Sequence, residues 1–202
     1  MILSVLHLSR GDIQKIKDRN ARVFDTYTIH KLVYSLFPKE DGEARSFLFA
    51  YKGGDFKEKR FLILSKNYPV QPEIGTIESK EIPKTFLEQE YYGFEVIINP
   101  VKRDGKTKKI IPIRGREEIM SWFIEKSGSY GFEVMPESLS VSDTHVLQFT
   151  KDNKNVVLGK AKCVGRLRVT NRELFIKAFE NGLGKGKAFG FGLLQIIPLI
   201  KQ

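Results

Sequence analysis

The chain is short of the residues that staple or metallate a protein. Among its 202 residues there is one cysteine, Cys163, and there are three histidines. A single thiol excludes an internal disulfide and any cysteine-rich zinc site, and it fits a reducing cytoplasm. Cys163 stands among apolar neighbours and reads as a small core residue. No pair among His7, His30 and His145 is spaced as metal ligands, and Glu78, Glu81, Glu88 and Glu90 read as solvated linker charge, so no metal and no other cofactor is expected. Long apolar runs are missing too. The opening MILSVLHLSR is too short for a membrane span and lacks a basic n-region, so it reads as a strand, and no membrane partner is expected.

Acid is the remaining shortage. Lys and Arg number 34 against 24 Asp and Glu, for a formal charge of +10. Residues 99–116 hold seven basic side chains and one acid, so +6 of that charge sits in one window. Clustered positive charge points to nucleic acid or an anionic surface.

Glycine, by contrast, is concentrated near the end. Residues 181–194, NGLGKGKAFGFGLL, hold five of the 17 glycines (Gly182, Gly184, Gly186, Gly190, Gly192) with Lys185 and Lys187. Such a stretch exposes backbone N–H groups beside cationic charge, which suits a phosphate-bearing polyanion. The spacing fits neither a Walker A loop nor a dinucleotide fingerprint: no Gly-Lys-Ser/Thr follows, and Phe189 stands where the third glycine of GxGxxG belongs. A nucleotide-binding enzyme is thereby disfavoured. The loop would instead contact RNA backbone or hold two domains together.

Along the chain, Met1–Leu8 reads as a strand and DIQKIK as a short helix. Asp25 is placed to cap a helix over Thr26–Phe37 that stops at Pro38. Ile29, Leu32, Val33 and Leu36 form its buried stripe, leaving Tyr27, His30 and Tyr34 together on a flank. After a charged loop at 39–43, Ser46–Lys52 and Arg60–Ser65 read as a hairpin. Residues 66–88 carry three prolines and no sustained period; they read as a linker with a possible strand around Gly75–Glu78. Tyr91–Val101 and Ile110–Ile113 flank the basic loop KRDGKTKK, which makes a hairpin with a cationic tip. Arg116–Lys126 reads as a helix, and Tyr130–Met135 and Ser140–Thr150 as strands. From Val157 to Val169 one parity is small or apolar while the other carries Lys160, Lys162, Arg166 and Arg168. Four like charges on one strand face repel, and a bound anion would relieve that cost. A helix over Arg172–Phe179 then leads through the glycines into a last strand, Phe189–Ile197. The rhythm is α+β: tandem ferredoxin-like (RRM-like) βαββαβ domains, residues 1–88 and 89–202, with open sheets able to receive RNA.

Taken together, Asp25, Tyr27 and His30 in a DxYxxH pattern, LVYSLFP at the helix end, FEVIINPVKRDGK, GRLRVTN and GLGKGKAFGFGLL run in one register over nearly the full chain. This combination resembles the CasE-type CRISPR repeat-processing endoribonucleases, and the glycine-rich piece is its most specific part. Thr26 stands where the family pattern has proline, and the 39–43 loop and the linker are short. The resemblance implies two ferredoxin-like domains and metal-free cutting of CRISPR repeat stem-loops in precursor RNA, leaving a 2′,3′-cyclic phosphate. It implies that the product stays bound within a multisubunit Cascade-type complex. It assigns acid/base chemistry to His30 and assistance at the scissile phosphate to Tyr27. The basic loop (Lys102, Arg103, Lys106, Lys108, Lys109) matches the family's RNA-stem hairpin. Arg114, Lys160, Lys162, Arg166, Arg168, Lys185 and Lys187 complete the expected RNA-binding set.

The residue chemistry agrees with that assignment. RNA carries its own nucleophile, the 2′-OH, so scission needs a proton acceptor, a proton donor and stabilisation of phosphorane charge. Histidine suits either proton role, and Tyr27 can bond the 2′-OH or a phosphate oxygen. Lys31, Lys160 and Lys185 are unranked candidates for the charge role. The alternative from another class is a noncatalytic, RRM-like RNA-binding subunit in which His30 has no task.

Overall fold

The computed structural model describes residues 1–19, 24–38, 45–55, 57–151 and 153–199. The expected charged loop at 39–43 lies outside these residues.

The N-terminal part begins with β1 (Ile2–Ser9), whose alternating burial follows its sequence parity. Two helices follow, α1 (Arg10–Arg19) and α2 (Thr26–Ser35). Asp25 caps α2 as expected, its carboxylate accepting a 2.8 Å hydrogen bond from the Thr28 backbone N–H. Val33 and Leu36 are fully buried under it, and Ile29 and Leu32 are partly so. β2 (Phe47–Tyr51), β3 (Glu58–Ser65) and β4 (Thr76–Glu81) complete an antiparallel sheet in the order β2-β3-β1-β4. Glu78 and Glu81 therefore lie on β4, paired along β1, rather than in a linker. The chain reaches β4 from β3 without a second helix, so this half keeps the ferredoxin-like strand order but carries both helices between β1 and β2.

The uninterrupted apolar run of β2, FLFAY, has a physical cause: both faces of this sheet are covered. Phe47 and Phe49 face α1 and α2, in a core with Leu6, Leu8, Ile13, Ile16 and Val33. Leu48 and Ala50, on the opposite parity, join the core of the C-terminal half.

That half opens with β5 (Tyr91–Ile98), then a two-stranded ribbon of β6 (Val101–Arg103) and β7 (Ile110–Pro112), which is the expected basic hairpin. α3 (Arg116–Ser127), β8 (Phe132–Val134), β9 (Ser140–Lys151), β10 (Lys154–Val169), α4 (Arg172–Asn181) and β11 (Gln195–Pro198) follow. The sheet order β11-β5-β10-β8 is ferredoxin-like, and β9 extends the long β10 as an arm. The last strand is shorter than Phe189–Ile197, because residues 187–189 form a 3-10 turn and strand pairing starts only at Gln195. Cys163 is fully buried, and desolvation pushes its thiol pKa up to about 12. The architecture is a pair of ferredoxin-like units, and the core of the C-terminal half continues onto Leu48, Ala50 and Leu64 of the N-terminal sheet. No helix of the described residues is long and apolar enough to cross a membrane.

Candidate active site

The first turns of α2 present Tyr27 and His30 one turn apart, as their spacing requires. Their rings stack at 5.6 Å with a 16° interplanar angle, and the His30 ring lies 4.0 Å from that of Tyr34. Lys31 sets its ammonium 4.6 Å over the Tyr27 ring. The expected flank of one histidine and two tyrosines therefore exists, with a cation on its edge.

The glycine-rich segment arrives at the same place. The Ala188 carbonyl lies 2.8 Å from His30 Nδ1, and the Phe189 ring is 5.3 Å from the imidazole. A carbonyl can only accept, so Nδ1 carries the proton in this bond and Nε2 is the ring nitrogen not committed to it. Phe189 is backed in turn by Phe149 of β9 at 4.7 Å. His30 is held by groups from both halves of the protein.

Glycine is required for the segment to reach that position. Gly182 has φ +74, and a Cβ there would stand 2.9 Å from both the Gly192 carbonyl oxygen and the Leu48 side chain. At Gly192, φ +80, a Cβ would meet the Leu183 carbonyl oxygen at 2.3 Å. The loop folds back on itself through Leu183 N–H to Gly192 O, 2.8 Å, and is pinned to β5 by Gly192 N–H to Ile97 O, 2.7 Å. Gly184 donates to the Tyr130 hydroxyl, and Gly186 and Gly190 border the 187–189 turn with positive φ. Of the two expected roles, holding the halves together is the one this packing performs.

The basic residues fall into three groups. Lys102, Arg103, Lys106, Lys108, Lys109 and Arg114 are exposed on and beside the β6–β7 ribbon and form no ion pair with described residues. The ribbon tip is organised by Asp104, whose carboxylate accepts from the Thr107 hydroxyl and backbone N–H, both at 2.6 Å; these bonds hold its pKa below the usual value.

The cations of β10 form the second group and correct one expectation. Lys160 pairs with Asp143 at 2.5 Å, Lys162 with Glu95 at 2.9 Å and Arg168 with Glu133 at 3.2 Å; Arg166 alone of the four has no ion pair with a described residue. Their repulsion is neutralised by acids on the neighbouring strands, so no bound polyanion is needed to relieve it. Glu95 also receives Lys52 of the N-terminal half at 2.8 Å. Burial pushes the Glu95 pKa up, and the hydrogen bonds from Lys52 and Lys162 outweigh it, leaving the group below its ordinary value.

The glycine-loop lysines differ from each other. Lys185 is exposed and bridges in β fashion to Asn99, at the edge of a cleft of about 1000 Å³ between the ribbon and the β9–β10 arm. Lys187 is half-buried, and its pKa is lowered by desolvation and then by the charge of Arg45. Arg45 and the Ala188 carbonyl are the site residues that sequence reasoning missed, since no local pattern links residues 45 and 188 to residue 30. His7 pairs with Glu58 and His145 with Asp143. Among the described residues no three His, Cys, Asp or Glu side chains are grouped to hold a metal ion.

Comparison with known proteins identifies the family of the chain. The family model described as "CRISPR associated protein" matches residues 1–198. The chain is 25% identical over 193 residues to the "CRISPR system Cascade subunit CasE" of Escherichia coli (strain K12), covering 87% of this chain and 93% of that one. It is 28% identical over 116 residues to the "CRISPR-associated endoribonuclease Cse3" of Thermus thermophilus, covering 52% of this chain and 54% of that one. The fold matches a solved structure of Thermus thermophilus Cse3 bound to an RNA representing a pre-cleavage complex, with a TM-score of 0.80 and 20% identity over 98% of both chains. The chain belongs to the CRISPR associated protein family, and its relatives there are of the CasE type.

Proposed function

We propose that this protein is a cytoplasmic endoribonuclease that binds CRISPR repeat hairpins in precursor RNA and cuts them without a metal. The product keeps a 2′,3′-cyclic phosphate and stays bound as the protein takes its place in a Cascade-type complex. The observation that carries the reading is the fixed imidazole: His30 Nδ1 donates to Ala188 O while Tyr27 stacks beside the ring. Fixing one nitrogen by a carbonyl orients the other for proton transfer, which a surface histidine without a task would not require. The names of the relatives agree, one being a Cascade subunit and the other an endoribonuclease.

In the reaction the 2′-oxygen forms a bond to phosphorus and gives up its proton, while the bond from phosphorus to the 5′-oxygen breaks and that oxygen takes a proton. His30 Nε2 is the exchanging nitrogen whichever of the two transfers it performs. The Tyr27 hydroxyl bonds the 2′-OH or a non-bridging oxygen. The ribbon cations Lys102, Arg103, Lys106, Lys108 and Lys109, with Arg114, Arg166 and Lys185, meet the RNA backbone. Residues 1–88 and 89–202 act as the two domains, clamped by the glycine loop.

The test is incubation of a labelled repeat hairpin, from the CRISPR array of the source organism, with wild type in excess EDTA. Cleavage at one position, with a 5′-hydroxyl on one fragment and a cyclic phosphate on the other, supports the reading. Tight binding without cleavage would instead support a noncatalytic RNA-binding subunit.

A further inference from the structure

Arg45 and Lys187 are two cations that no acid among the described residues pairs with, and the charge of Arg45 is felt at Lys187. Arg45 Nε is buried without a hydrogen-bond partner among those residues. On β10, by contrast, Lys160, Lys162 and Arg168 each meet a carboxylate. A half-buried lysine facing a guanidinium pays both desolvation and repulsion, and in Lys187 both act to lower the pKa. An arrangement with that standing cost is expected where a ligand anion completes it.

The location identifies the anion. Lys187 directly precedes Ala188, whose carbonyl holds His30. The 187–189 turn packs against both α2 and β2, and Arg45 lies two residues before β2 begins. Lys187 thus sits on the turn whose Ala188 carbonyl bonds His30 and which packs on α2 and β2, and Arg45 stands at the entry to β2.

Resting on the endoribonuclease reading above, we propose that Lys187 and Arg45 are catalytic residues that together bind the non-bridging oxygens of the scissile phosphate. In the ground state that phosphodiester carries a single negative charge. As the 2′-oxygen adds to phosphorus, charge accumulates on those oxygens, so two fixed cations in a partly desolvated site bind the transition state more tightly than the substrate. Because Lys187 and Ala188 are consecutive, seating the phosphate on Lys187 also steadies the carbonyl that orients His30.

The experiment compares wild type, Lys187→Gln and Arg45→Gln on two RNAs, the natural hairpin and the same hairpin with a single 2′-deoxy substitution at the scissile nucleotide. Single-turnover rates are read on the first and affinities on the second. Removal of one oxyanion-type donor is expected to slow cleavage by about 10²–10³-fold, while affinity for the uncuttable RNA changes far less. Thermal denaturation establishes that the variants fold. A readout independent of mutation is competitive acylation of wild-type amines. Uncuttable RNA is expected to protect Lys187 and to raise the pH at which it reacts. Wild type that cuts while both variants cut within about twofold of it, or an unprotected Lys187, overturns this inference and leaves the endoribonuclease reading standing. Wild type that leaves the natural hairpin intact overturns both.

Discussion

The imidazole of His30 and the carbonyl of Ala188 are joined by a 2.8 Å hydrogen bond across 158 residues of sequence. This bond ties the glycine-rich segment to the proposed reaction centre. The loop brings Ala188 to His30 only because its backbone takes conformations and approaches that a side chain would forbid.

Gly192→Ala therefore tests the loop as a positioning device. A Cβ 2.3 Å from the Leu183 carbonyl oxygen, at φ +80, must displace the backbone. Strain of this kind costs about 1–3 kcal/mol. A lowered denaturation midpoint is expected, with a cleavage rate that falls more than RNA affinity does. A variant with wild-type midpoint and rate would show that the tight fold of the loop does not matter to His30.

The ribbon makes a separate prediction. Charge reversal of Lys106, Lys108 and Lys109 to glutamate should weaken hairpin binding and flatten its dependence on salt. For every phosphate that the protein ceases to neutralise, the slope of log K against log salt shrinks by roughly one. Measured by filter binding over a salt series, an unchanged slope would take the ribbon out of the interface.

Glu95 ties the two halves through Lys52 and Lys162. Its carboxyl pKa is depressed in the folded state, so its contribution is complete above the unfolded-state pKa and is lost as pH falls through the lower folded value. Glu95→Gln should lower stability at pH 7 by about 1–2 kcal/mol, between the values for surface and buried pairs. The gap to wild type should close on acidification below about pH 4. Urea denaturation at several pH values reads this directly, and a gap independent of pH would assign the loss to packing instead.

Cys163 should be inert in the native protein. Buried and with its thiol pushed up to about 12, it offers negligible thiolate near neutrality. Thiol titration should find no reactive group until denaturant is added; prompt native reaction would mean that the core around β10 opens easily.

Much of this was legible from residues alone, for reasons that differ by element. Asp25, the stripe Ile29, Leu32, Val33 and Leu36, and the flank of Tyr27, His30 and Tyr34 follow from helix period and capping, which are local. The KRDGKTKK hairpin was legible because strand period and turn chemistry are local too. What escaped was set by pairing between distant strands. Glu95, Glu133 and Asp143 stand beside the β10 cations only once the sheet register places them there. The β4 acids looked like linker charge because an edge strand with one covered face carries a weak apolar signal. The contact of Ala188 with His30 and the approach of Arg45 to Lys187 depend on how the glycine loop docks on β2. No period or spacing within either segment encodes that docking.

The central claim is that His30 moves a proton in RNA scission, and the single-turnover rate of His30→Ala on a labelled repeat hairpin in excess EDTA tests it most directly. Loss of one positioned acid/base group predicts a rate lower by about 10²–10⁴-fold, with hairpin affinity within a few-fold of wild type. Equal cutting by the variant and wild type would contradict the account.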